Sequence, residues 1–176
     1  MNNTFSVVAV ALLLAPAAPR AQQHSMPPGT THEEHLAQTQ REAEMKTRGA
    51  AAMGFDQDRV AHHFLLTGVG GTIRVEAADA TDTATRDAIR AHLRQIASEF
   101  AAGNFQAPFA THAETPPGAA AMQALKSSIR YAVSDRPGGG EVRIATSDEK
   151  ALAAVHEFLR YQIREHRTGD PIDIPN

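Results

Sequence analysis

Apolar and polar side chains alternate over residues 72–77, with Ile73 and Val75 on one face and Arg74 and Glu76 on the other. That is the period of a strand with one buried face. The pattern recurs. Gly70-Gly71-Thr72-Ile73-Arg74-Val75 reads against Gly139-Gly140-Glu141-Val142-Arg143-Ile144 at an offset of 69. Each copy follows another β-like run. The first is Val60-Ala61-His62-His63-Phe64-Leu65-Leu66-Thr67; in the second, Ile129, Tyr131 and Val133 alternate with Arg130, Ala132 and Ser134. Glycine-rich segments, Gly68-Val69-Gly70-Gly71 and Arg136-Pro137-Gly138-Gly139-Gly140, turn each pair into a hairpin.

An amphipathic helix follows each hairpin. In the first, Ile89, Leu93, Ile96 and Phe100 recur at i, i+4, i+7 and i+11. In the second the stripe is Leu152, Val155, Leu159 and Gln162 or Ile163. Thr81 and Ser147 are the expected caps, Asp82 suits a first turn, and Gly103 and Gly169-Asp170-Pro171 are stops. The helices align at an offset of 66, pairing Ile89 with Val155, Leu93-Arg94 with Leu159-Arg160 and Gly103-Asn104 with Gly169-Asp170. Three extra residues in the first strand-to-helix loop account for the two offsets. We read an internal ββα duplication. It predicts a two-layer α+β fold: a four-stranded antiparallel sheet with helices on one face, over residues 54–171. Several strand orders satisfy the pattern.

The remaining segments are less regular. Residues 1–21 carry an apolar run, Phe5 to Leu14, followed by Ala and Pro residues, and read as a secretory signal cleaved near Ala21. Residues 22–53 form a leader, polar at first and then helix-forming, expected as an exposed helix or a disordered arm outside the core. Residues 104–117 read as irregular, 119–126 as a short helix and 172–176 as a tail. The expected location is periplasmic or secreted, with no membrane span in the mature chain.

Composition narrows the chemistry. The chain has 176 residues, a formal charge of −3, no cysteine and no tryptophan. No thiolate chemistry or disulfide is available, and no clustered basic surface suggests nucleic acid. The other soft or borderline ligands are nine histidines and five methionines. No GxSxG is present, and Gly68-x-Gly70-Gly71 precedes a strand, which excludes a phosphate cradle at a helix start. An enzyme of unidentified class stays open as a third reading.

The duplication calibrates where the histidines point. His62 aligns with Ile129 and is expected to face the helices; His63 aligns with Arg130 and is expected to face away. His92 flanks the first helix's stripe, His112 lies in the loop before Pro116-Pro117-Gly118, and His166 aligns with Phe100. The leading expectation is a binding protein holding a metal ion, copper first and zinc second, through His62, His92 and His112, with Met122 and His166 as further candidates. Taken singly, each ring is equally a core-edge histidine bonded to a backbone carbonyl. His24, His32 and His35 in the leader are expected to bind metal only adventitiously. The competing function is a structural or interaction module that docks, or forms a homodimer, through the open sheet face. That face carries His63, Leu65, Arg74, Arg130 and Arg143 by parity, with Leu65 as its exposed apolar residue.

The blocks His62-His63-Phe64-Leu65-Leu66, Ile89-Arg90-Ala91-His92-Leu93 and Phe158-Leu159-Arg160-Tyr161-Gln162-Ile163, with Glu165-His166-Arg167-Thr168-Gly169-Asp170, are similar to a group of small exported bacterial proteins without an assigned activity. The similarity spans residues 53–171. It implies export and a shared fold, and no catalytic residue.

Overall fold

A computed structural model describes residues 31–174. The expected signal segment, the polar start of the leader with His24, and the last two residues of the tail lie outside the described residues. The elements in order are α1 (His32–Met53), β1 (Val60–Thr67), β2 (Gly70–Ala77), α2 (Thr83–Ala102), α3 (Gln106–His112), α4 (Ala119–Ala124), β3 (Ile129–Arg136), β4 (Gly139–Thr146) and α5 (Glu149–His166). Single 3-10 turns precede β1 and β3. The fold is the expected α+β arrangement. The four strands form one antiparallel sheet in the order β1-β2-β4-β3.

The register explains which side chains reach the core. Phe64, Ile73 and Val142 stand side by side across the sheet, as do Leu66, Gly71 and Ile144. All four large side chains on the two central strands, Ile73, Val75, Val142 and Ile144, are buried. His62 lies opposite Val75 in the same set of rows, so it faces the helices. Val133 shares that parity but is 36% exposed. It sits on the outer strand β3, where the helix layer no longer covers it fully.

The helices cross over. α2 follows the first hairpin yet packs chiefly on β3 and β4, whereas α5 follows the second hairpin and packs most on β1 and β2. Equivalent contacts secure both. Leu93 of α2 sits over Gly140, and Leu159 of α5 sits over Gly71, where an added Cβ would strike the leucine. Arg90 of α2 donates to the carbonyls of Arg136 and Gly139 at 2.6 and 2.9 Å. His156 of α5 lies 2.9 and 3.0 Å from the carbonyls of Thr67 and Gly70, toward which its Nε2–H points. Each helix is thus pinned to the turn of the other unit's hairpin. His156 is a structural histidine, its ring held by backbone carbonyls.

Local signals hold with small shifts. The helix caps are Asp82 and Asp148, one residue beyond Thr81 and Ser147. A carboxylate accepts from the first-turn N–H groups and also answers the helix dipole, so it outcompetes the neighbouring hydroxyl. Gly103 ends α2 in the left-handed conformation, φ 81°. Residues 104–117 are less irregular than expected, because α3 forms there with Pro108 in its first turn, where no N–H is needed.

The second half of the leader is also firmer than a disordered arm. α1 begins at a capping box between Thr31 and Glu34. It lies against α3, with Arg48 Nε donating to the Thr111 carbonyl at 3.1 Å and Glu42 pairing with Arg167 at 2.7 Å. Met45 and Gly49 are buried. Among the described residues, no helix is long and apolar enough to cross a membrane.

Candidate functional site

One cavity of about 60 Å³ opens at the end of the helix layer, lined by Met53, His62, His92, His112, Gln162 and His166 among apolar neighbours such as Phe64 and Phe158. Its four imidazoles come from four separate elements: β1, α2, α3 and α5. Each arrives for a local reason. His62 takes the inward parity of β1. His92 sits beside the α2 stripe. His112 is the last residue of α3, and His166 ends α5 one turn beyond Gln162.

Three of the rings, His62, His112 and His166, form a contacting row, and His92 stands apart behind Phe55. His62 and His166 are stacked with centres 5.3 Å apart, and His112 meets His166 edge-on at 5.1 Å. Phe55 stands between His62 and His92, at 6.5 and 5.7 Å. Burial holds His62 down to about 4, with the neighbouring His92 and His63 adding to the effect. Burial holds His166 at about 3, with His62 and His112 contributing. Burial also lowers His92 and His112. All four rings are therefore neutral at neutral pH and carry a free lone pair.

His112 shows where one lone pair points. Its Nε2 lies 3.0 Å from Gln162 Oε1. With that amide oxygen accepting, the proton sits on Nε2 and the lone pair on Nδ1. His112 Nδ1 is buried without a partner among the described residues, and so is Gln162 Nε2. A histidine with one nitrogen held by an oxygen and the other buried and unpaired has the hydrogen bonding of a metal ligand with its supporting contact.

Ring spacing agrees with coordination, and ring orientation does not yet. Two imidazoles on a tetrahedral ion, at metal–nitrogen bonds of about 2.0 Å, place their ring centres roughly 5 Å apart. The observed 5.1 and 5.3 Å match that spacing, but stacked planes must turn about their side-chain bonds before two nitrogens share a point. As placed, no group of three His, Cys, Asp or Glu side chains among the described residues is arranged to hold an ion.

The remaining candidates lie elsewhere. Met122 is fully buried in the core and does not line the cavity, because α4 packs against α5 away from it. The thioether at the cavity is Met53, from the end of α1. His63 does point away from the helices, yet it is not free: its Nδ1 lies 2.9 Å from Asp170 Oδ1. Asp170 Oδ2 also accepts the Phe64 N–H at 2.9 Å, so this carboxylate satisfies a backbone donor of the outer strand β1. Although a His–carboxylate pair, it is not part of the cavity lining. Leu65 is half-buried rather than exposed, beside buried Thr72 in its row. On the open face Arg74 pairs with Glu141 at 3.2 Å, and Arg136 pairs with Glu141 and Glu76 at 3.4 Å each. Arg130 and Arg143 are exposed.

Met53, Phe55, Gln162 and Phe158 were missed as site residues. Met53-Gly54-Phe55 was readable as a helix stop flanked by two large apolar residues. Gln162 had a signal too, as an amide on an otherwise apolar stripe. No known protein family, characterised protein or solved structure matches this chain, so the reading of the site rests on its own geometry.

Proposed function

We propose that this is an exported, periplasmic or secreted binding protein for a single soft or borderline metal ion, copper before zinc, held by His62, His112 and His166, with His92 lining the same cavity. The observation that carries the reading is the convergence of four neutral imidazoles from four elements on one cavity, with the unpartnered His112 Nδ1 among them. A core built only for stability would not desolvate four polar rings together, since each costs free energy that an apolar side chain would return. Imidazole donors suit copper, zinc and nickel. Export follows from the apolar run at residues 5–14 and the small residues after it. The twin ββα units, with equivalent helix-to-turn anchors at Arg90 and His156, support descent from one duplicated half.

The sheet-face interface is the weaker reading, because Glu76 and Glu141 already engage Arg74 and Arg136. Equilibrium dialysis of untagged protein carrying His24→Gln, His32→Gln and His35→Gln tests the metal reading. With copper(I) under reducing conditions, copper(II) and zinc(II) each offered in turn, about one ion per chain is expected for at least one of them, lost in His112→Ala and in His166→Phe. No retained ion, or retention unchanged by both substitutions, would overturn it.

A further inference from the structure

We infer that the site is selective for monovalent copper, and that Met53 supplies a thioether ligand, making α1 part of the binding site. This rests on the metal-binding reading above; it adds the charge of the ion and sets the Met53 thioether beside His62, His112 and His166, four donors in all, with His92 behind Phe55.

The charge argument comes from what lines the cavity. Its polar groups are imidazoles, an amide, a thioether and the Thr111 hydroxyl, and no carboxylate is among the lining residues. The cost of moving an ion out of water rises with the square of its charge, so a dication costs fourfold more than a monocation of the same size to bury. Carboxylates or thiolates offset that cost in many dication sites, an open position holding hydroxide does so in all-histidine ones, and this cavity is lined by neutral groups alone. A monovalent ion needs far less compensation. Its softness matches imidazole and thioether donors.

The ligand argument comes from how α1 ends. Gly54 takes the left-handed conformation at φ 77°, and its N–H closes on the Ala50 carbonyl at 2.9 Å. That turn puts Met53 on the cavity wall and drives Phe55, 7% exposed, between His62 and His92. Gly49, one turn earlier, leaves room for the Gln57 side chain, and a Cβ there would collide with it and lie 3.0 Å from the Met53 methyl group. A thioether is flexible and can swing toward an ion as the rings turn.

The test is competition on the full chain carrying the three leader His→Gln changes. Under anaerobic reducing conditions, copper(I) is titrated against a chromogenic copper(I) chelator. Zinc(II) and, in air, copper(II) are offered in parallel at the same concentration, followed by gel filtration. The expected result is one copper(I) withdrawn per chain, with neither dication retained. Met53→Leu conserves volume, and its unfolding curve checks the fold; it is expected to weaken copper(I) at least tenfold. Zinc(II) or copper(II) retained as firmly as copper(I) would overturn the charge selectivity. Unchanged copper(I) affinity in a folded Met53→Leu would overturn the thioether ligand. Failure to retain any ion would remove the function reading itself, and this inference with it.

Discussion

Two parts of the core that meet at the cavity are filled with opposite chemistry. His62, His92, His112 and His166 gather its polar groups, whereas Phe100 and Phe158 join it to an aromatic cluster with Phe105 and Tyr131. The aromatic set packs as a dry seam. Phe100 and Phe158 are 2 and 1% exposed, and Phe100 packs on Phe105, Tyr131 and Phe158 with ring centres 4.6 to 6.0 Å apart. The histidine set leaves a half-open cavity of about 60 Å³. One core thus holds both a sealed aromatic seam and a polar one. The polar seam is the one that gives up stability, which is where function is expected.

The largest effect should come from opening the aromatic seam. Phe100→Ala is expected to cost about 3–5 kcal/mol of unfolding free energy, measured by chemical denaturation, against a much smaller cost for truncating His166. Acid should separate the seams next. Unfolded histidine titrates near 6.5, whereas folded His62 and His166 titrate at about 4 and about 3. Below pH 6.5 the unfolded chain takes up protons that the folded chain refuses. The stability present above 6.5 is therefore lost as the pH falls toward 4 and then 3, with no further loss from these rings below that. The loss should amount to a few kcal/mol, and His62→Phe or His166→Phe should shrink it.

Gln162→Met should loosen the His112 ring and lower metal affinity about tenfold, read by chelator competition, with His63 and His156 unaffected. Extending the aromatic seam into the polar one is a sharper test. His166→Phe should raise stability by about 1 kcal/mol through added apolar burial while abolishing stoichiometric metal. The smallest effects belong to the open sheet face. Arg130→Ala and Arg143→Ala should shift stability by less than about 0.5 kcal/mol.

The hairpins, α2, α5 and the inward face of His62 were legible because strand and helix periods are local. The strand order was not, since either hairpin edge satisfies the same alternation. Nor was the crossing of the helices, which depends on Gly71 and Gly140 clearing room for leucines distant in sequence. α1 was underrated because its apolar positions are sparse; it docks through Arg48 and Glu42 as well as Met45. Met122 was misplaced because spacing along a loop says nothing about which side of a helix the loop returns to.

Nitrogen-15 NMR of the imidazole rings, during titration with copper(I) under reducing conditions, tests the central claim most directly. The expected result is that His62, His112 and His166 shift together and saturate at one equivalent, with His112 binding through Nδ1, while His63 and His156 stay in place. Shifts confined to the leader histidines, or spread over all rings without saturation, would contradict it.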